Sequence, residues 1–495
     1  MLIPLSFCGS SVIHKKPKYN NEQECAIILS ILIEIYVKRK SSMYRSNSLK
    51  QKLKLFLVIL IPILITQLSL YAMNFFDTVM SGRFGTHDLA GVAIGSNLWV
   101  PVFTGINGIL LALSPIVSQL VGGGKEKEVP EVVRQGMYLS VGLATVVTII
   151  GFFVVDPILN RMDLESEVAH VAKYYLAALA TGIIPLFLFN LLRCFIDALG
   201  QTRTSMMVIL ISLPLNILFN YMFIFGRLGM PALGGIGAGI ASSLTYWISC
   251  AVAVLVIYRY KPFRFYMIFR HWRRPSLHAW WEQLRIGIPI GFAIFFETSI
   301  FAAVTLLMSV YSTETIAAHQ AAINFASYLY MIPLSIAMAL TIAVGFEVGG
   351  RRVHDAKVYS YIGLCCGIAI SFFAGLILYT LDDAVARLYN DNPAVINLTK
   401  QFIFYAIFFQ FADAVGAPLQ GALRGYKDVN ITLIMALISY WLIGLPSGWV
   451  LANFTEFGPF GYWMGIIIGL SAGAITLYGR LVFLQRKLAG QLAKE

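Results

Sequence analysis

Charge is what this chain has least of: only 13% of its 495 residues are Asp, Glu, Lys or Arg, where a soluble domain carries about 25%. That scarcity excludes an ordinary soluble protein, and a mean hydropathy of +0.74 excludes disorder, which requires low hydrophobicity. Motifs that carry covalent or metal chemistry are also missing. The six cysteines (Cys8, Cys25, Cys194, Cys250, Cys365 and Cys366) form no CxxC pair, and the seven histidines show no HExxH and no i, i+4 pair. Neither a disulfide framework nor a zinc site is indicated. No GxGxxG, GxxxxGK[ST] or GxSxG motif opens a helix, so neither ATP nor a covalent nucleophile drives the protein. The expectation is a protein that is not an enzyme, has no cofactor and draws its energy from an ion gradient.

What the chain has instead is long apolar blocks. A span needs about 20 mostly apolar residues, and polar breaks cut the sequence into twelve such blocks: 56–80, 89–121, 134–155, 168–192, 204–226, 234–258, 285–310, 316–347, 358–380, 395–422, 429–452 and 460–484. Lipid offers no partner to backbone amides and the blocks lack barrel-strand alternation, so they read as helices. Most of the 37 basic residues fall on one side of this topology, among them Arg259, Lys261, Arg264, Arg270, Arg273, Arg274 and Arg285. The positive-inside rule then places both termini in the cytoplasm of a multi-pass cell-membrane protein. The basic stretch reads as a topology signal in contact with anionic lipid rather than as a nucleic-acid site.

Residues 1–50 form a cytoplasmic extension with a twelve-residue apolar stretch from Ala26 to Val37, too short to span. It reads either as a membrane-surface helix or as sequence ahead of a start at Met43. The second reading is preferred, because nothing later in the chain depends on the segment.

Sliding the chain by 227 positions aligns Pro62 with Pro289, Ala90 with Ala317, Asn97 with Asn324, and Val121-Gly122-Gly123 with Val348-Gly349-Gly350. Gly235 and Gly239 match Gly461 and Gly465 at almost the same offset. Chance gives scattered Gly and Ala matches, not a near-constant register. The expected fold is therefore all-α and integral to the membrane, with twelve helices in two homologous six-helix lobes. An even number of helices per lobe makes the repeat parallel, with its pseudo-two-fold along the membrane normal. The expected domains are an N-lobe at 51–258, a basic linker at 259–284, a C-lobe at 285–485 and a tail at 486–495.

Three carboxylates fall inside these blocks, with Glu347, the last residue of 316–347, belonging to the loop that follows: Asp77, Glu297 and Asp413. Each costs about 2.5 to 3.5 kcal/mol at the bilayer centre, so an intramembrane carboxylate marks a functional site by default. The repeat register puts Asp77 opposite Val304 and Glu297 opposite Leu70, so the lobes have diverged. Glu297 and Asp413 can hold a monovalent cation if helices seven and ten come together: oxygen ligands suit hard cations, and close carboxylates raise one another's affinity for a proton. Na⁺ and H⁺ both stay open on this chemistry. In the first lobe Asn216 and Asn220, spaced i, i+4, share a helix face from which to reach Asp77. In the second, Gln320, Phe296, Met331 and Tyr330 are candidates to line a cavity for flat organic cations. Packing accounts for most of the other aromatic residues, and His319 reads as a packed core residue without an evident catalytic partner.

These residues together resemble a known family. Phe76-Asp77-Thr78-Val79-Met80-Ser81-Gly82, Phe295-Phe296-Glu297, the asparagines of "PLNILFNYMFIFG", Ala318-His319-Gln320 and "GALRGYKD" at 421–428 look like the NorM-type branch of the multidrug and toxic compound extrusion (MATE) transporters, from about residue 45 to the end. The resemblance implies an antiporter that expels cationic or amphipathic organic compounds in exchange for Na⁺ or H⁺ and functions as a monomer. It further implies that Glu297 and Asp413 bind the coupling cation, favouring Na⁺, with Tyr330 completing the site and Asp391 contributing from "NDNP". Asp77 and the two asparagines would serve the first lobe. Three rivals differ in their requirements. A flippase for lipid-linked saccharides needs basic residues mid-span for its pyrophosphate, and the twelve blocks show none; a major facilitator needs a basic signature loop that "VGGGKEKEVPE" lacks; an intramembrane protease needs a catalytic pair.

Overall fold

Long runs of Leu, Ile, Val and Phe leave the backbone no solvent partner inside lipid and so drive it into helices. The computed structural model describes residues 46, 48–162, 164–270, 273–387 and 392–492; helices joined by short turns and loops make up these residues, with no strand among them. The N-terminal stretch from Ala26 to Val37 and the site candidate Asp391 lie outside the described residues. Eleven helices are long and apolar enough to cross a membrane, and a bent pair makes a twelfth. They are α1 Leu49–Phe84, α2 Thr86–Gly122, α3 Val129–Leu159, α4 (Ser166–Ala180 with Ile183–Ala198), α5 Thr202–Phe225, α6 Gly235–Arg259, α7 Leu277–Val310, α8 Thr313–Gly349, α9 Val353–Thr380, α10 Pro393–Gly425, α11 Val429–Phe454 and α12 Phe460–Gln491.

Local chemistry fixes where they start and break. Ser48, Ser276, Ser312 and Asn392 each accept a hydrogen bond from a first-turn amide of α1, α7, α8 and α10, satisfying donors that a helix start leaves orphaned. The halves of α4 meet at 52° across Thr181-Gly182. In α11 the residues Ile438–Gly444 form a π-helical turn, which widens the helix and leaves Tyr440 buried.

The most enclosed spans are α8 and α10, which lie along one another and carry the core of the second half. Phe402 and Phe409 of α10 pack there with Ile300 and Val304 of α7 and Trp463 of α12. A second cluster joins the halves, setting Phe56, Ile59 and Ile63 of α1 against Leu340 and Val344 of α8 and Leu419 and Leu423 of α10. Across the junction α2 lies on both α7 and α8.

The repeated Val-Gly-Gly segments meet at this junction. A Cβ on Gly122 would sit 1.8 Å from the carbonyl oxygen of Phe346, and one on Gly349 would sit 2.0 Å from that of Gln119. Gly122 and Gly349 are repeat partners, as are Gln119 and Phe346, so the contact is made twice, once from each half. Only a residue without Cβ allows backbones this close.

Three sequence expectations need correction. The helices run past the apolar blocks into polar residues, so α10 ends at Gly425 rather than 422 and carries Arg424 into the protein, 6% exposed. The spans therefore do contain buried basic residues, Arg193 of α4 among them. Asp197 and Glu347, placed outside the membrane by sequence, are also buried within helices, at 4% and 0% exposure; each is compensated locally, Asp197 by Ser205 and Glu347 by Arg352.

Candidate functional site

Each half of the molecule holds a buried carboxylate site. In the first, Asp77 of α1 is 6% exposed. Asn220 of α5 donates its Nδ2 to Asp77 Oδ1 at 2.6 Å, and Ser242 of α6 donates its hydroxyl to Oδ2 at 2.7 Å. The same Asn220 Nδ2 reaches Asn216 Oδ1 at 3.2 Å, as the i, i+4 spacing allows. Three helices are thus tied by one carboxylate. The hydroxyl of Tyr175, 3.2 Å from that of Ser96, and Tyr246 lie within the carboxylate's electrostatic reach.

In the second half α7 and α10 come together: Phe301 and Phe409 meet edge to face at 5.5 Å. Glu297 is 5% exposed and Asp413 is 2% exposed, and the two carboxylates interact electrostatically. Tyr330 of α8 donates its hydroxyl to Glu297 Oε1 at 3.3 Å, and Gln420 of α10 donates its Nε2 to Glu297 Oε2 at 3.3 Å. Gln420 is itself held, since Arg424 donates to its Oε1 at 3.0 Å, and its Nε2 also reaches Tyr440 Oη at 3.3 Å. Arg424 places a positive charge within reach of Glu297. Asp413 differs: its Oδ2 is buried with no hydrogen-bond partner among the described residues. A buried carboxylate oxygen left unpaired is costly, and a cation or a proton would satisfy it.

Of the cavity candidates, Phe296 stacks on Phe292 at 6.1 Å and accepts the indole N–H of Trp441 at its carbonyl, at 3.2 Å. Gln320 and Met331 are half-buried on α8, with no contact to either carboxylate given by the hydrogen bonds of the site. His319 is fully buried; it accepts from Trp463 Nε1 at 3.1 Å and lies 3.2 Å from the Thr305 hydroxyl, a core arrangement. Ser242, Gln420, Arg424 and Tyr440 were not singled out from sequence. A signal existed for Arg424, which stands inside the quoted "GALRGYKD", and for Gln420, the residue just before it.

The MatE family model matches residues 62–222 and again 289–450. The chain belongs to the MatE family. Its two matches begin 227 residues apart, the offset found from the internal repeat, so the MATE halves are homologous copies. Among relatives, the probable multidrug resistance protein NorM of Oceanobacillus iheyensis is 63% identical over 445 residues, covering 90% of this chain and 100% of that one. The protein of the same name from Bacillus subtilis is 53% identical, covering 90% and 98%. These place the chain in the NorM-type branch. Among solved structures, the eukaryotic MATE transporter AtDTX14 superposes with a TM-score of 0.81 at 22% identity, covering 90% of this chain and 99% of that one. An outward-facing multidrug resistance MATE family transporter gives 0.80 at 19%, covering 90% and 99%. Both establish the MATE fold.

Proposed function

We propose that this MATE protein is a secondary active exporter of cationic or amphipathic organic compounds, driven by inward movement of Na⁺ or H⁺ across the cell membrane, and that it works as a monomer with both termini cytoplasmic. Its lobes are residues 51–258 and 285–485. The observation that carries the reading is the Glu297 and Asp413 pair: two buried carboxylates on neighbouring helices, one with an oxygen unpaired among the described residues. The high identity to proteins named for multidrug resistance supports the substrate class.

The coupling ion is cargo, and the residues present fit it. Asp413 Oδ2, the Glu297 carboxylate and the Tyr330 hydroxyl offer oxygen donors of the kind hard cations take, and a proton would need only the free Asp413 oxygen. With the basic end closed at the Gly122 and Gly349 contacts, an ion entering from the other side neutralises the pair, releases a bound cationic compound and lets the halves rock. Ion release inside restores the negative charge. Each inward positive charge gains about 2.3 kcal/mol per 100 mV, roughly fifty-fold in accumulation.

The flippase reading now has a buried arginine to consider. Arg424 is committed to Gln420 and lies beside Glu297, and a pyrophosphate there would meet that carboxylate, so the structure favours the cation. Efflux of a fluorescent organic cation from proteoliposomes, under an imposed Na⁺ gradient and then an imposed pH gradient, tests the proposal and identifies the ion. Glu297→Gln should abolish efflux while the protein still inserts; normal efflux by that variant, or dye unmoved by either gradient in the parent, would overturn it.

A further inference from the structure

We propose that a cleft at the basic end of the molecule, between the α8–α9 turn, α9 and α12, binds a phosphate group carried by an anionic lipid headgroup or free in solution. The cleft has a volume of about 770 Å³, and Arg351, Arg352, Lys357, Tyr361, Gln485 and Arg486 line it. It lies apart from both carboxylate sites.

The charges in it are unevenly compensated. Asp355 also lines the cleft but is held at 3.1 Å by Lys52 of α1, and Arg352 pairs through its Nε with Glu347. Lys357 and Arg486 have no carboxylate within ion-pair distance among the described residues. Lys357 instead stands 6.0 Å over the ring of Tyr361. Among the described residues, Lys357 and Arg486 therefore leave the cleft with an excess of positive charge.

Two donors in its wall are unused. Arg352 Nη2 is buried with no acceptor among the described residues, and the amide of Gln485, 4% exposed, has only the Tyr426 hydroxyl near it, with no close hydrogen bond formed. Buried donors are almost always paired, and a tetrahedral oxyanion offers acceptors to both. The first turn of α9 adds backbone N–H groups at Val353 and His354 that no side chain caps, an arrangement that favours an anion. Tyr361 and Tyr478, with hydroxyls 3.5 Å apart, stand at the cleft on α9 and α12. Farther along these helices the exposed side chains are apolar, with Ile368 and Phe372 on α9 and Ile475 on α12, a track suited to acyl chains. Basic pockets between spanning helices recognise lipid phosphates in this way.

The test uses the purified full chain in detergent. Thermal unfolding is followed while phosphatidylglycerol, phosphatidylcholine or, at constant ionic strength, inorganic phosphate is titrated, and retained lipid is counted by native mass spectrometry. A saturable rise in Tm with phosphatidylglycerol and not phosphatidylcholine assigns a lipid headgroup; a rise with inorganic phosphate alone assigns a soluble source. The double variant Lys357→Gln, Arg486→Gln should bind roughly tenfold or more weakly, and Lys357→Arg, Arg486→Lys should retain binding. Arg486→Gln alone, on an exposed helix face, serves if the double variant does not fold. No response to either anion, or an equal response in the variants, would overturn the proposal.

Discussion

Replacing Gly122 with Ala tests whether the repeated Val-Gly-Gly contact closes the basic end of the molecule. The added Cβ would lie 1.8 Å from the Phe346 carbonyl oxygen, 2.6 Å from its carbon and 2.9 Å from its Cα. All three are backbone atoms, so no side chain can swing aside. Bringing the shortest contact out to 3.0 Å means parting α2 and α8 by about 1.2 Å. Forcing an extra methyl into a packed interface costs about 1–3 kcal/mol, a shift of roughly fivefold to 150-fold in the balance between closed and open forms. That cost falls only on the form in which the segments touch, so the variant should favour the form open at the basic end. Ser118, fully buried on α2, provides the readout: as Ser118→Cys in a cysteine-free chain, it should react faster with an impermeant maleimide applied from the basic side when Gly122→Ala is added. Gly349→Ala, whose Cβ would lie 2.0 Å from the Gln119 carbonyl oxygen, should act alike. Gly142→Ala, where the nearest atom is Trp280 Cη2 at 4.0 Å, should do nothing. If both junction variants label and transport at the parental rate, the contact is not the closure.

Asn220→Ala removes the donor 2.6 Å from Asp77 and should cost about 1–3 kcal/mol in thermal unfolding, with Asn216→Ala costing less because Asn216 is the weakest of the three side chains that attend the carboxylate. His319→Ala leaves the Trp463 N–H, now 3.1 Å from the imidazole, without an acceptor in the core; a loss of about 2–5 kcal/mol is expected, with transport kinetics of the surviving folded protein unchanged. Outside the spans, the Arg387 hydrogen bond holds the exposed Asp383 carboxyl below its ordinary value of 3.8. The stability it adds is present above that value and lost as pH falls through the lower folded one, so parent and Asp383→Asn should differ at neutral pH and converge in acid unfolding.

The span count and the duplication were legible because both are carried by many residues at once. A block of twenty apolar residues has few alternatives, and the offset joining Pro62 to Pro289 is the one at which the family model matches twice. The polar network was much less legible. Cutting the chain at polar residues ends each helix too early, so Arg424 fell into a loop and its proximity to Glu297 was lost. Asp197 and Glu347 went astray for the same reason. Ser242 and Tyr440 carry no charge, and an uncharged polar residue in a spanning helix looks the same whether it packs or ligates. Their roles depend on which helices meet, and for Tyr440 on a π-helical turn whose sequence, ISYWLIG, holds none of the Pro residues that usually announce a distortion.

The two carboxylate sites are alike in burial and unlike in what they still lack. Both oxygens of Asp77 accept short hydrogen bonds, from Asn220 and Ser242, so a cation or proton arriving there must compete with donors already in place. Asp413 has an oxygen with no donor among the described residues, and its neighbour Glu297 is the carboxylate that Gln420, Tyr330 and the charge of Arg424 already attend. A carboxylate has about four acceptor positions, and the least occupied is where an incoming ion gains most for the least rearrangement. On the proposed mechanism, coupling therefore begins at Asp413, with Glu297 as the electrostatic partner whose charge the arginine sets. Asp77 then acts as the hydrogen-bonded tie among α1, α5 and α6 that must loosen when the first lobe changes shape.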